Sequence, residues 1–243
     1  MSTLEAGTIE PQSGTTVTLG ASGDAVVIGA DALKVNTIKD AGANTIFTSN
    51  GSGTLSSINS GLTGSMVYIN KATASGDATL EFTSGIDSTY DEYIFHWVNI
   101  HPATNNTKFT FQANVSGETG FNETITSTAF MAMHRENGTG AQLSYDTTSD
   151  QAQGTSYQPL TYEIGNVADA SSSGILHLFN PSSTTYVKHF YSDTVSLNGD
   201  GTPYIYNEYI AGYFNVTGAI TQVSFAMSSG NIDEGTIYLY GIK

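Results

Sequence analysis

The run GILHLFNPSSTTYVKHFYS, residues 174–192, decides how this chain folds. Within TTYVKHFYS, Thr185, Val187, His189 and Tyr191 fall on one side of an extended backbone, while Tyr186, Lys188, Phe190 and Ser192 fall on the other. Asn180-Pro181-Ser182-Ser183 reads as a tight turn, so strands are expected at 174–179 and 186–192. The same run holds serines, threonines, two histidines and a lysine, which as residue types fit nucleophile, base and cation. In the strand reading Lys188 and His189 point to opposite sides and cannot jointly activate one serine. No nucleophile elbow of the G-x-S-x-G kind is present either. The run is two strands and a turn.

Working outward, the same alternation recurs. In KFTFQANV (108–115), Phe109, Phe111, Ala113 and Val115 oppose Lys108, Thr110, Gln112 and Asn114. In TQVSFAMS (221–228), Val223, Phe225 and Met227 oppose Gln222, Ser224 and Ser228. YIFHWVNI (93–100) is apolar on both sides and is expected to be a central strand or one covered by a partner subunit. Further strands are expected at 66–70, 79–83, 128–134, 157–163, 205–216 and 235–242. Gly, Asn, Asp and Pro cluster between them, and no helical period intervenes. The expected fold is all-β: an antiparallel β-sandwich of jelly-roll type over residues 66–243, preceded by an extended β arm over residues 1–65.

The arm differs in composition. Residues 1–65 hold no Tyr, Trp or His and one aromatic, Phe47. Short apolar pieces alternate with Gly/Asp/Asn/Ser turns, too weakly apolar to form a core alone. Such a segment is ordered by wrapping on a neighbour or by pairing with its own copies around a threefold axis, or else it stays a flexible low-complexity arm. The boundary is expected within SSINSGLTGS, residues 56–65.

Charge narrows the partners. Seven Lys and Arg stand against 22 Asp and Glu, a formal net charge of −15. A phosphate-rich surface needs clustered cations, so neither nucleic acid nor insertion into an anionic membrane is expected. There is no cysteine, hence no disulfide or thiolate chemistry. The first residues lack the pattern of a secretory signal, and no run approaches the roughly 18 apolar residues of a membrane span. Six N-x-S/T triplets, at Asn50, Asn105, Asn114, Asn122, Asn137 and Asn215, read as chance in an Asn/Thr-rich chain.

Sites for chemistry are sparse. His96 lies between Ile94 and Val98 on one strand face and is expected to be packed and hydrogen-bonded in the core. His101 precedes Pro102 at a strand end, His134 stands beside Arg135, and His177 shares a face with Ile175 and Phe179. No two histidines have the spacing that puts both rings on one metal, so no cofactor or metal is expected. Asp91–Glu92 and Asp233–Glu234 are adjacent, so in a strand they point apart; a remote carboxylate pair stays open. The loops NGDGT (198–202) and DASSSG (169–174) are oxygen-rich but lack the pattern of a calcium loop and read as turns. Tyr204, Tyr206, Tyr209 and Tyr213 in GTPYIYNEYIAGYF, with Tyr238 and Tyr240, offer flat faces for subunit contact or for stacking on a glycan.

Two regions carry a resemblance. LKVNTIKDAGANTIFTSNGSGTL (33–55) resembles an N-terminal module of tail-fibre and other virion proteins of marine bacteriophages. STYDEYIFHWVNIHPATNN, LSYDTTSDQAQGTSYQ, GILHLFNPSSTTYVKHFYS and FAMSSGNIDEGTIYLYGIK resemble a domain of structural proteins of cyanophages and related phages. The resemblance implies a non-enzymatic virion protein at the particle surface or tail, as a tail fibre, appendage or capsid decoration. It implies homotrimers and other virion proteins as partners, and no catalytic residues. A carbohydrate-binding module facing a host-surface glycan is the alternative, and a polysaccharide depolymerase the third.

Overall fold

The computed structural model describes residues 35–52, 54–58, 65–199 and 201–243. The chain divides into two units, Met1–Leu62 and Thr63–Lys243, each taken here by itself.

In the first unit, β1 (Thr37–Lys39), β2 (Thr45–Ser49) and β3 (Leu55–Ile58) form an antiparallel sheet in that order. The Asp40 carboxylate accepts from the Asn44 backbone at 2.8 Å, which shapes the β1–β2 turn. Asn50 Oδ1 does the same for Ser52 and Thr54 between β2 and β3. Ile38, Phe47 and Ile58 sit in register as one apolar row, yet none of the three is buried. Strand β3 occupies the first residues of the run expected to be the boundary.

The second unit contains β4 (Met66–Thr73), β5 (Thr79–Phe82), β6 (Glu92–Pro102), β7 (Phe109–Val115), β8 (Ile125–Arg135), β9 (Ala141–Tyr145) and β10 (Ala152–Gly154). It continues with β11 (Gln158–Pro159), β12 (Ser172–Phe179), β13 (Lys188–Asn198), β14 (Tyr204–Phe214), β15 (Ile220–Met227) and β16 (Ile232–Ile242). All pairings are antiparallel. One four-stranded sheet runs β11-β7-β15-β5, and within the larger sheet four strands run β4-β16-β6-β12. These two quartets, read in chain order, are the strand order of an eight-stranded jelly roll. The larger sheet then continues through β13, β14 and β8, whose free edge carries both β9 and β10.

The core lies between the sheets and is aromatic. Phe225 of β15 packs within 5.3 Å of Phe95 and 5.5 Å of Phe109, ring centre to ring centre. Phe111 meets Phe190 at 5.0 Å and Phe214 at 5.7 Å, which joins the added strands to the small sheet. Burying each such ring contributes on the order of 2–3 kcal/mol. Strand β6 lies between β12 and β16, central as its apolar sequence requires.

Three details differ from expectation. Every residue of β7 is buried, including Thr110, Gln112 and Asn114. Their side is roofed by other segments: Gln112 Nε2 donates to the carbonyls of Glu123, Thr155 and Ser156 at 3.0–3.2 Å. Of the expected strand 157–163 only Gln158–Pro159 is strand, although Leu160 N still donates to Phe109 O at 2.8 Å. His96 is exposed on the outward side of β6, not packed in the core, because that side of the large sheet has no layer over it among the described residues.

Candidate functional site

The alternation of the long strands sends one set of side chains into the core and the other onto the outward face of the nine-stranded sheet. On that outward face aromatic residues meet across strands. Asp193, Tyr209, Phe130 and Tyr145 stand opposite one another in sequence across β13, β14, β8 and β9. Tyr209 and Phe130 stack at 5.1 Å with 39% and 46% of their surface exposed. The Asp193 carboxylate accepts from Asn207 Nδ2 at 2.7 Å, and its charge holds the neighbouring Tyr209 hydroxyl above its ordinary pKa. Tyr145 donates to Asp150 at 2.8 Å.

A second row crosses the rest of the sheet: Tyr191, His177, Ile94, Tyr240 and Tyr68 are register partners. His177 stacks on Tyr191 at 4.3 Å, and its Nδ1 lies 2.5 Å from Glu92 Oε1. Beside this row, Met66, Ile94, His96, Ile175 and Tyr240 line an apolar depression. The sheet therefore presents a broad aromatic surface edged by a few carboxylates and imidazoles.

The four tyrosines singled out in β14 are not brought together. Tyr204 and Tyr206 lie on the inward parity, where they stack on each other at 5.7 Å. There Arg135 caps Tyr204 at 4.4 Å and Tyr162 meets Tyr206 at 4.9 Å. Burial pushes the Tyr206 hydroxyl up to about 12. Tyr209 and Tyr213 face outward, Tyr213 against His189 at 6.2 Å. The residues that complete the Tyr209 surface, Phe130 and Tyr145, belong to β8 and β9. Alternation places Phe130 outward within ITSTAFMAMHR, but only the pairing of β8 with β14 brings it to Tyr209.

The carboxylates sort as follows. Glu92 is engaged by His177, whereas Asp233 and Glu234 are exposed. These two line a polar cavity with Asn99, His101 and Asp169, and His101 Nδ1 lies 2.7 Å from the Ala170 carbonyl. Of the loop 198–202, residue 200 lies outside the described residues. Among the described residues no group of three or more His, Asp or Glu is placed to hold a metal ion.

The carboxyls that do meet are remote in sequence: Asp146, after β9, and Glu208, on the inward side of β14. They are 5% and 1% exposed. Lys108 Nζ lies 3.9 Å from Asp146 and donates to Thr148 Oγ1 at 2.7 Å and to Ser149 Oγ at 3.0 Å. Burial, then the contact with Asp146, push Glu208 up to about 8. Burial also acts against ionised Asp146, but hydrogen bonds from Ser149 and Thr148 outweigh it and lower its pKa. Glu208 is readable only as a charge at an inward position between Tyr206 and Ile210; its partner is not.

Comparison with protein families, with curated proteins and with solved structures finds no match to this chain.

Proposed function

We propose that this chain is a non-enzymatic structural protein of a bacteriophage particle: a tail fibre, an appendage or a capsid-surface decoration. Residues 1–65 attach it to the particle, and copies associate as a homotrimer. The observation that carries the reading is the outward face of the large sheet. Five aromatic side chains on this one face, Tyr68, Phe130, Tyr145, Tyr191 and Tyr209, are each more than a third exposed, and such a concentration marks an interaction surface, since exposed apolar patches otherwise promote aggregation. The net charge of −15 keeps such a surface from indiscriminate association. The resemblance of residues 33–55 and of the later segments to phage virion proteins supplies the context. Removing residues 1–60 is expected to abolish incorporation into particles while the sandwich stays folded. Normal packaging of the truncated chain contradicts the anchoring role.

A second reading is favoured by one patch. Tyr209, Phe130 and Tyr145 offer apolar ring surface beside Asp193, Asn207 and Asp150, the combination that stacks on a sugar and accepts its hydroxyls. The bordering carboxylates favour neutral over anionic glycans. Under this reading Tyr209→Ala abolishes binding on a glycan array with the fold intact. An array with no glycan bound by the unaltered chain removes it.

A further inference from the structure

Glu208 is a buried carboxyl, 1% exposed. Neither of its carboxyl oxygens, nor Asp146 Oδ2, has a protein hydrogen-bond partner of ordinary geometry. Leaving three such oxygens buried without a donor is costly. Ser149 is near enough to act on both carboxyls, but its hydroxyl has one hydrogen and can turn toward only one of them at a time. Lys108 is the nearest cation, yet its hydrogens are directed to Thr148 and Ser149. The remaining ionisable neighbour, Tyr162, lies under Lys108 Nζ at 5.2 Å, and Glu163 beyond it accepts from Asn198 at 2.9 Å. One positive charge faces two negative ones in a buried site.

We propose that Asp146 and Glu208 hold a single proton between them, and that this proton clasps the turn 146–149 to β14. Glu208, as the neutral acid, donates to Asp146 Oδ2, which removes one negative charge and satisfies both groups at once. The turn is a junction. Asp146 N donates to Ala129 O at 3.0 Å, Gln158 Nε2 donates to Ser149 O at 2.6 Å, and the next residue, Asp150, accepts from Tyr145 on the outward face. The clasp therefore makes the local fold beneath the Tyr145 edge of the aromatic surface pH-sensitive. The inference does not depend on the chain belonging to a virion.

The sign follows from linkage. Below the ordinary carboxylate value of 4.5, folded and unfolded chains both carry the Glu208 proton. Between 4.5 and about 8 only the folded chain keeps it, so its stabilising effect is progressively lost as pH rises and is gone above about 8.

The test compares the full chain with Glu208→Gln, whose amide donates to Asp146 at every pH. The unfolding equilibrium constant of the unaltered chain, divided by that of the variant, should rise by nearly tenfold per pH unit across the window from 4.5 to about 8. A ratio independent of pH overturns the proposal. Should the variant not fold, infrared spectroscopy of the unaltered chain decides. A buried carboxylic-acid carbonyl band persisting at neutral pH and lost in mild alkali supports the shared proton, and its absence at neutral pH overturns it. Calcium chloride is the control: stabilisation by calcium that Glu208→Gln abolishes would mean a cation, not a proton, sits between the carboxyls.

Discussion

Gly174 shows how much one missing methyl can matter. It faces inward opposite Trp97 across the β12–β6 pair, and the indole fills the space a side chain would need. A Cβ there would lie 2.5 Å from Trp97 Cζ2 and 2.8 Å from the Asp193 carbonyl oxygen. Trp97 cannot retreat, because it is fully buried, packs on Phe109 at 5.4 Å and donates from Nε1 to Ser172 Oγ. Gly174→Ala is therefore expected to destabilise the sandwich by about 1–3 kcal/mol, the cost of overpacking a filled core. Chemical denaturation measures it; an unchanged midpoint would show that the contact relaxes freely. Lys188 makes the complementary point. Its position in the alternation puts it inside, and it stays there by donating to the carbonyls of Tyr186 at 2.8 Å and Val216 at 3.3 Å. Desolvation lowers its pKa. The face was readable from the sequence, but the two carbonyls that make burial tolerable come from the turn just before β13 and from the residues after β14.

At the scale of elements, what the sequence disclosed follows from period two. Strands β5, β6, β7, β12, β15 and β16 carry enough alternating or continuous apolar residues to be placed within a few positions. The turn at Asn180–Ser183 closes with Ser183 N donating to Asn180 O at 3.1 Å, as Asn-Pro-Ser-Ser suggests. Alternation names a face without saying what covers it. Alternation sets Gln112 opposite Phe111, and its side is buried under loops whose backbone carbonyls accept from its amide. His96 looked like core because Ile94 and Val98 flank it, and it is exposed because the sheet is one layer thick on that side. Short strands β9 and β10 escaped notice because three to five residues with mixed polarity carry no period of their own. The tyrosines of β14 illustrate the same limit. Tyr204 and Tyr206 are two apart from each other, as are neither of them from Tyr209, so parity splits the set between faces. The rings that do join Tyr209 come from β8 and β9 through pairing, which lies beyond the reach of local sequence.

For the whole molecule, the jelly roll is complete in eight strands, and the extra strands widen one sheet without covering its outer side. The inner side of the added strands is covered, with Phe190, Ile210 and Phe214 buried, while their outer side lengthens the uncovered face. That outer face carries the exposed rings of Tyr68, Tyr191, Tyr209, Phe130 and Tyr145, and the small three-stranded sheet in the first unit has an apolar row that is not buried. In the proposed homotrimer both surfaces would gain from sister copies: the exposed rings by leaving water, the small sheet by acquiring neighbours for its apolar row.

Sedimentation equilibrium of the purified full chain tests that claim most directly. A particle of three times the 25.6 kDa chain mass, persisting on dilution, is expected. A single species at 25.6 kDa across the accessible concentrations would contradict it.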